Sequence, residues 1–183
     1  LFSDEACLRL PDVEGNHPHE KEWAARKQSA GKLCNYVRQL NKRVKVLEVG
    51  CGNGWLSAMI AATGNASVLG IDINRTECEQ AMRVFGNNYD LDFAVGTLEE
   101  VPKRSFNLVV FAASIQYFSS ITRAVNMAMG CLQEGGEVHI IDTYFYHPSA
   151  LIAARNRSKI YFLRKEKQES QEYVLNMEKR QSV

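Results

Sequence analysis

Six residues, Val44-Lys45-Val46-Leu47-Glu48-Val49, run directly into Gly50-Cys51-Gly52-Asn53-Gly54. The run is rich in branched and aliphatic side chains and predicts a buried strand. The glycines predict a tight turn in which the backbone can approach a ligand without a Cβ clash. Leu56, Met59 and Ile60 then recur on one side of a helix over 54–63. A strand that turns through glycines into a helix is the first half of a βαβ unit, and it sets the frame for the rest of the chain.

The same rhythm continues downstream. Ser67–Ile71, Leu91–Val95, Phe106–Phe111 and Glu137–Ile141 read as further strands. Thr76–Phe85 reads as a helix stopped by Gly86-Asn87-Asn88, and Ile121–Leu132 as one stopped by Gly135-Gly136. Upstream, Trp23, Ala30, Leu33, Val37 and Leu40 mark an amphipathic helix over 19–41. Strands alternating with helices imply crossovers and a mostly parallel sheet. The expected fold is α/β, a Rossmann-like three-layer sandwich with about five strands in the order 3-2-1-4-5. Residues 1–18 read as a loose arm, 19–165 as the folded domain, and 166–183 as a charged helix or tail. Within the domain, Ser149–Arg164 is expected to be helical.

A chain of 183 residues suits one core, and a formal net charge of +1 argues against a nucleic-acid partner held by phosphate contacts. The five cysteines, Cys7, Cys34, Cys51, Cys78 and Cys131, are widely spaced with no Cys-x-x-Cys, so neither a disulfide framework nor a zinc site is expected. No apolar run approaches the ~18 residues that span a bilayer, and no signal-type apolar core is seen. A cytoplasmic protein without membrane attachment is expected.

Asp72 ends the second strand, where a carboxylate can accept hydrogen bonds from a ribose diol. A glycine turn between strand and helix, with an acid about one βαβ arm later, points to a nucleotide-like ligand. A dinucleotide needs a further glycine three residues after the second. Counted from Gly50 and Gly52 that position is Trp55, and counted from Gly52 and Gly54 it is Ser57. Glu48 would also add negative charge near a pyrophosphate. Beside a ligand carrying an ammonium and a sulfonium the same charge is favourable, so S-adenosylmethionine is expected.

These segments resemble the class I S-adenosylmethionine-dependent methyltransferases, whose first motif reads apolar run, acid, x, Gly-x-Gly-x-Gly. The resemblance covers about residues 20–165 and is nearest to small-molecule-type methyltransferase domains. It implies that Gly50, Cys51, Gly52, Asn53, Gly54 and Trp55 surround the methionine and ribose portions of the cofactor. It implies that Glu48 lies near the ammonium group, Asp72 binds the ribose hydroxyls and Ile73 packs on the adenine. Gly96, Thr97 and Leu98 match the segment that reads the adenine edge. Thr97 stands where the family often has Asp, which leaves the Leu98 backbone N–H to serve. Ala113 and Ser114 follow the fourth strand, where backbone carbonyls meet the cofactor. Family sheets usually have seven strands, and five are legible here. A shortened C-terminus, a covering helix or a second copy forming a homodimer would each protect the fifth strand's edge.

S-adenosylmethionine carries an activated methyl group, so the protein mainly aligns a nucleophile and excludes water. A faint catalytic signature is therefore expected. Tyr117 and Gln116, after the fourth strand, and Asp142, after the fifth, are the candidate substrate-facing residues. Related sequences often have His at the position of Gln116. Tyr144, Tyr146 and His147 follow Asp142, and Trp23 and Arg26 are candidates to cover the pocket. Phe111-Ala112-Ala113-Ser114 is not the Asn/Asp-Pro-Pro-aromatic run of the methyltransferases that act on amide or adenine nitrogens. Asp142 has no acidic partner at metal-ligand spacing, so no metal is expected. Two functions follow. One is a methyltransferase for a small molecule, releasing S-adenosylhomocysteine. The other is a cofactor-binding module without turnover that acts on a partner.

Overall fold

The structure is a computed structural model that describes residues 2–143. Tyr144, Tyr146, His147, the helix expected over 149–164 and the charged tail lie outside the described residues. The elements in chain order are α1 (Asp4–Arg9), α2 (Glu20–Gln39), β1 (Val44–Val49), α3 (Trp55–Ala61), β2 (Ala66–Asp72), α4 (Arg75–Phe85), β3 (Leu91–Val95), β4 (Phe106–Ala112), α5 (Ile121–Cys131) and β5 (Leu132–Ile141). The described strands form one sheet in the order β3-β2-β1-β4-β5, and every neighbouring pair is parallel. The sheet order and fold class match the sequence expectation.

Period-two alternation divides the core between the two faces of the sheet. Val44 and Val46 of β1, Val68 of β2 and Leu108 and Val110 of β4 pack with Leu33 and Val37 of α2 and Leu56 and Ile60 of α3. Leu47 and Val49 of β1, with Val109 and Phe111 of β4, pack with Ala124, Ala128 and Cys131 of α5. Each fully buried aliphatic side chain contributes about 1.5–3 kcal/mol of transfer free energy, so the central strands anchor the domain. α2 is held further by Trp23, which meets Trp55 edge-on with ring centroids 5.5 Å apart. Such a pair adds about 0.5–1.5 kcal/mol beyond its buried area.

Two elements differ from expectation. The segment read as a loose arm contains α1, with Ser3 accepting from Ala6 N and Cys7 fully buried. Asp4 ties it to α4 through Arg83, at 2.7 and 2.9 Å, and through Gln80, at 3.0 Å. Its six residues are too few to show helical periodicity, and its stability comes from these distant partners. At the other end, α5 stops at Cys131, before the Gly135-Gly136 pair expected to stop it. Leu132 already pairs with Phe106, and the β4–β5 ladder slips before Leu108 meets Glu137. The glycines lie inside β5, where Gly135 at φ +72° accommodates the irregularity.

Candidate functional site

Alternation along β1 puts Glu48 on the same face as Val44 and Val46, so its carboxylate enters the interior at 2% exposure. Its partner across the sheet is Gly70 of β2. A Cβ at Gly70 would fall 2.8 Å from the Phe93 ring and 2.9 Å from the Ser57 hydroxyl. Without one, Ser57 of α3 reaches across and donates to Glu48 Oε2 at 2.5 Å. Burial pushes the Glu48 carboxyl up to about 8, with the Ser57 hydrogen bonds opposing the rise and the negative charge of Asp72 adding to it.

The glycine loop is fixed from both neighbouring strands. Gly50 N and Cys51 N donate to the Ile71 carbonyl at 2.8 and 3.0 Å. Gly52 N donates to Asp72 Oδ2 at 2.8 Å, and Asn74 N donates to Oδ1 at 2.8 Å. Ser114 donates to the Val49 carbonyl at 2.5 Å, closing the loop against the end of β4. Gly54 sits at φ +80°, and a Cβ there would lie 2.5 Å from the Phe93 ring and 2.8 Å from Ala81. It does the close-packing task that a dinucleotide fold gives to a later glycine, which frees position 55 for Trp55.

Above the carboxyl ends of the strands lies a cavity of about 970 Å³. One wall is made by the strand-end loops. Glu48, Gly50, Cys51, Gly52, Asn53 and Trp55 line it from β1 and α3. Asp72 and Ile73 line it after β2, and Gly96, Thr97 and Leu98 after β3. Ala113 and Ser114 complete it after β4. Ile73 is 77% exposed, an apolar surface turned to the opening. Thr97 is engaged elsewhere: its hydroxyl donates to Glu100 Oε2 at 3.0 Å in a capping box. Burial pushes the Cys51 thiol far up, so no thiolate is available for nucleophilic chemistry.

Two expected residues are not on the cavity wall. Gly54 packs between α3, α4 and β3. Gln116 turns back into its own loop, donating to the Ala113 carbonyl at 2.5 Å and accepting from Thr143 at 3.1 Å. Its amide ties the loop after β4 to the end of β5. Tyr117, beside it, is on the wall and 83% exposed. Asp142 is also on the wall, at φ +56°, and accepts from Ser29 of α2 at 2.6 Å.

The opposite wall comes from the N-terminal segment and α2, through Phe2, His17, Trp23 and Arg26. Trp23 and Arg26 stand where the sequence suggested a cover. Phe2 and His17 were missed. Their rings stack at 5.9 Å, and Phe2 meets Trp23 edge-on at 5.6 Å. No local pattern marks them, because only the docking of α1 on α4 brings them to the cavity. Gly70 and Ser57 were missed too, although the register of Glu48 against a glycine was a readable signal.

Among the described residues no helix is long and apolar enough to cross a membrane. A family model described as a methyltransferase domain matches residues 46–136. Malonyl-[acyl-carrier protein] O-methyltransferase 1 of Ilyobacter polytropus is 30% identical over 126 residues, covering 68% of this chain and 47% of that protein. The chain spans less than half the length of the curated relatives it matches. The YcgJ protein of Bacillus subtilis superposes with a TM-score of 0.61 at 21% identity, over 68% of this chain and 54% of that one. An S-adenosylmethionine-dependent methyltransferase of Thiobacillus denitrificans, solved with S-adenosyl-L-homocysteine, superposes with a TM-score of 0.53 at 19% identity, over 61% of this chain and 46% of that one. With the sheet order and the glycine loop on β1, these likenesses make the chain a member of the class I S-adenosylmethionine-dependent methyltransferase superfamily.

Proposed function

We propose that the chain transfers a methyl group from S-adenosylmethionine to a small-molecule acceptor. The observation that carries this is the buried Glu48 carboxyl at the cavity wall, held by Ser57 beneath a loop whose Gly52 is locked to Asp72. The residues fit the cofactor. A carboxyl raised by burial is returned to its charged form by a cation, and an ammonium beside Glu48 provides one. Asp72 keeps lone pairs beyond the two backbone N–H groups it already accepts, enough for ribose hydroxyls. Ile73 and Leu98 offer apolar surface to the adenine. S-adenosylmethionine supplies the activated methyl on its sulfonium.

The chain's own residues then orient and shield the acceptor. Phe2 and Trp23 give one side of the cavity an aromatic wall, and Tyr117 presents an exposed ring to its opening. Asp142, steadied by Ser29, is the carboxylate placed to take a proton from an acceptor hydroxyl or amine. The Ilyobacter relative is named for methyl transfer to oxygen, which favours an oxygen acceptor here. A second reading, a cofactor-binding module without turnover, is favoured by Gln116, which spends its amide on its own loop.

The test is formation of S-adenosylhomocysteine from S-adenosylmethionine across a panel of phenols, carboxylic acids and amines. Acceptor-dependent product, reduced at least about tenfold in Asp142→Asn, is expected. Cofactor binding with no product from any acceptor would favour the second reading.

A further inference from the structure

Glu48, Asp72, Glu77, Glu99 and Asp142 put five carboxyl groups on the cavity wall. Four of them have a donor. Ser57 serves Glu48, and Ser29 serves Asp142. Gly52 N and Asn74 N serve Asp72, and Arg123 lies 3.6 Å from Glu99. Glu77 is the exception. Among the described residues its carboxylate accepts no hydrogen bond, and the two arginines of its own helix are engaged by Glu79 and Asp4. An acid without a donor is ordinary on an open surface, but Glu77 is partly buried. Burial, and after it the negative charge of Asp72, push its carboxyl up. A charged group so placed is costly unless a ligand brings hydrogen-bond donors to it.

Local structure fixes where Glu77 stands. Asn74 caps α4 and accepts from Glu77 N at 3.4 Å, which places Glu77 in the first turn, soon after Asp72. Its Oε2 lies 3.1 Å from where a Cβ on Gly52 would be. Gly52 sits at φ +52° and gives its N–H to Asp72. The two carboxylates therefore flank one glycine of the loop, Asp72 at its nitrogen and Glu77 at its α-carbon. Neighbouring carboxylates repel an anion and suit a ligand with two adjacent O–H donors, and a ribose carries that pair. Asp72 has already given one lone pair of each oxygen to a backbone N–H, whereas Glu77 has given none among the described residues.

We propose that Glu77 is a second ribose-binding residue, accepting from one hydroxyl of the methyl donor's diol while Asp72 accepts from the other. The proposal rests on the cavity being the methyl donor's site, and it deepens that reading by dividing the diol between two acids.

The experiment is titration calorimetry with S-adenosylhomocysteine and its 2′-deoxy and 3′-deoxy analogues. Wild type is expected to bind each analogue at least about fivefold more weakly than the parent. Glu77→Ala is expected to weaken the parent by a similar factor. For one of the two analogues the same variant should stay within about twofold of wild type, because the hydroxyl that Glu77 serves is already missing. Asp72→Ala should still weaken that analogue. Glu77→Gln keeps an accepting oxygen and is expected to recover part of the loss. Three results overturn the proposal. In the first, Glu77→Ala binds S-adenosylhomocysteine as wild type does. In the second, it weakens the parent and both analogues by one factor, as a purely structural role would. In the third, Glu77→Gln loses as much as Glu77→Ala, which would assign the carboxylate to a cation. A wild-type chain that does not bind S-adenosylhomocysteine would instead fail the reading beneath, and this proposal with it.

Discussion

The two walls of the cavity are built by different physics. The wall of strand-end loops is local: each segment follows its strand, and backbone N–H groups of Gly50, Cys51 and Gly52 are tied to the end of β2. The wall of Phe2, His17, Trp23 and Arg26 is made by docking, through side-chain contacts between residues far apart in sequence. A site built on strand ends is held in place by the backbone hydrogen bonds of the sheet and its loops. A site built on a docked arm and helix can vary without disturbing the sheet. The donor side is therefore expected to tolerate little change, and the acceptor side to change its ligand while the fold holds.

The largest expected effect sharpens the first half of that contrast. In Gly54→Ala the new methyl meets the Phe93 ring in a left-handed backbone conformation. Overpacking and backbone strain together are expected to cost about 2–4 kcal/mol in denaturant unfolding. Cofactor affinity should fall with it, because α3 carries Ser57. A loss under about 0.5 kcal/mol would show that the loop is not rigid.

Next in size is the pH response of Glu48. Its folded carboxyl titrates near 8 against an ordinary value of 4.5, so the folded state holds the extra proton between those limits. Stability is therefore greatest below about 4.5 on this account and falls as pH rises toward 8. Glu48→Gln should flatten this part of the profile in unfolding measurements from pH 5 to 8. It should also abolish proton release on binding S-adenosylmethionine, measured as buffer-dependent heat. An unchanged profile in the variant would assign the dependence elsewhere.

The smallest effect tests the docked wall. Ser29→Ala removes the hydrogen bond to Asp142 and is expected to cost about 1 kcal/mol of stability. Affinity for S-adenosylhomocysteine should stay unchanged, while methyl transfer slows as Asp142 loses its support. Equal losses of donor binding and turnover would erase the distinction between the walls.

Much of the fold and of the strand-end wall of the cavity was legible in the sequence because both rest on short-range pattern. The run Val44–Val49 states its own burial by alternation, and the glycines state their turn. Glu48, two residues before the first glycine, pointed to a cationic ligand in place of a pyrophosphate. The acceptor side was less legible. Gln116 was read as substrate-facing, yet its amide bonds within its own loop, a choice that depends on its side-chain rotamer. Phe2 and His17 are brought in by the Asp4 contacts with α4, nearly eighty residues away, where no periodicity points.

Titration calorimetry of the wild-type chain and Asp72→Ala with S-adenosylhomocysteine tests the central claim most directly, with NAD as the control. The account predicts one binding event for wild type, loss of at least about tenfold in affinity in the variant with the fold intact by circular dichroism, and no binding of NAD. Tight binding of NAD with no response to S-adenosylhomocysteine would contradict it.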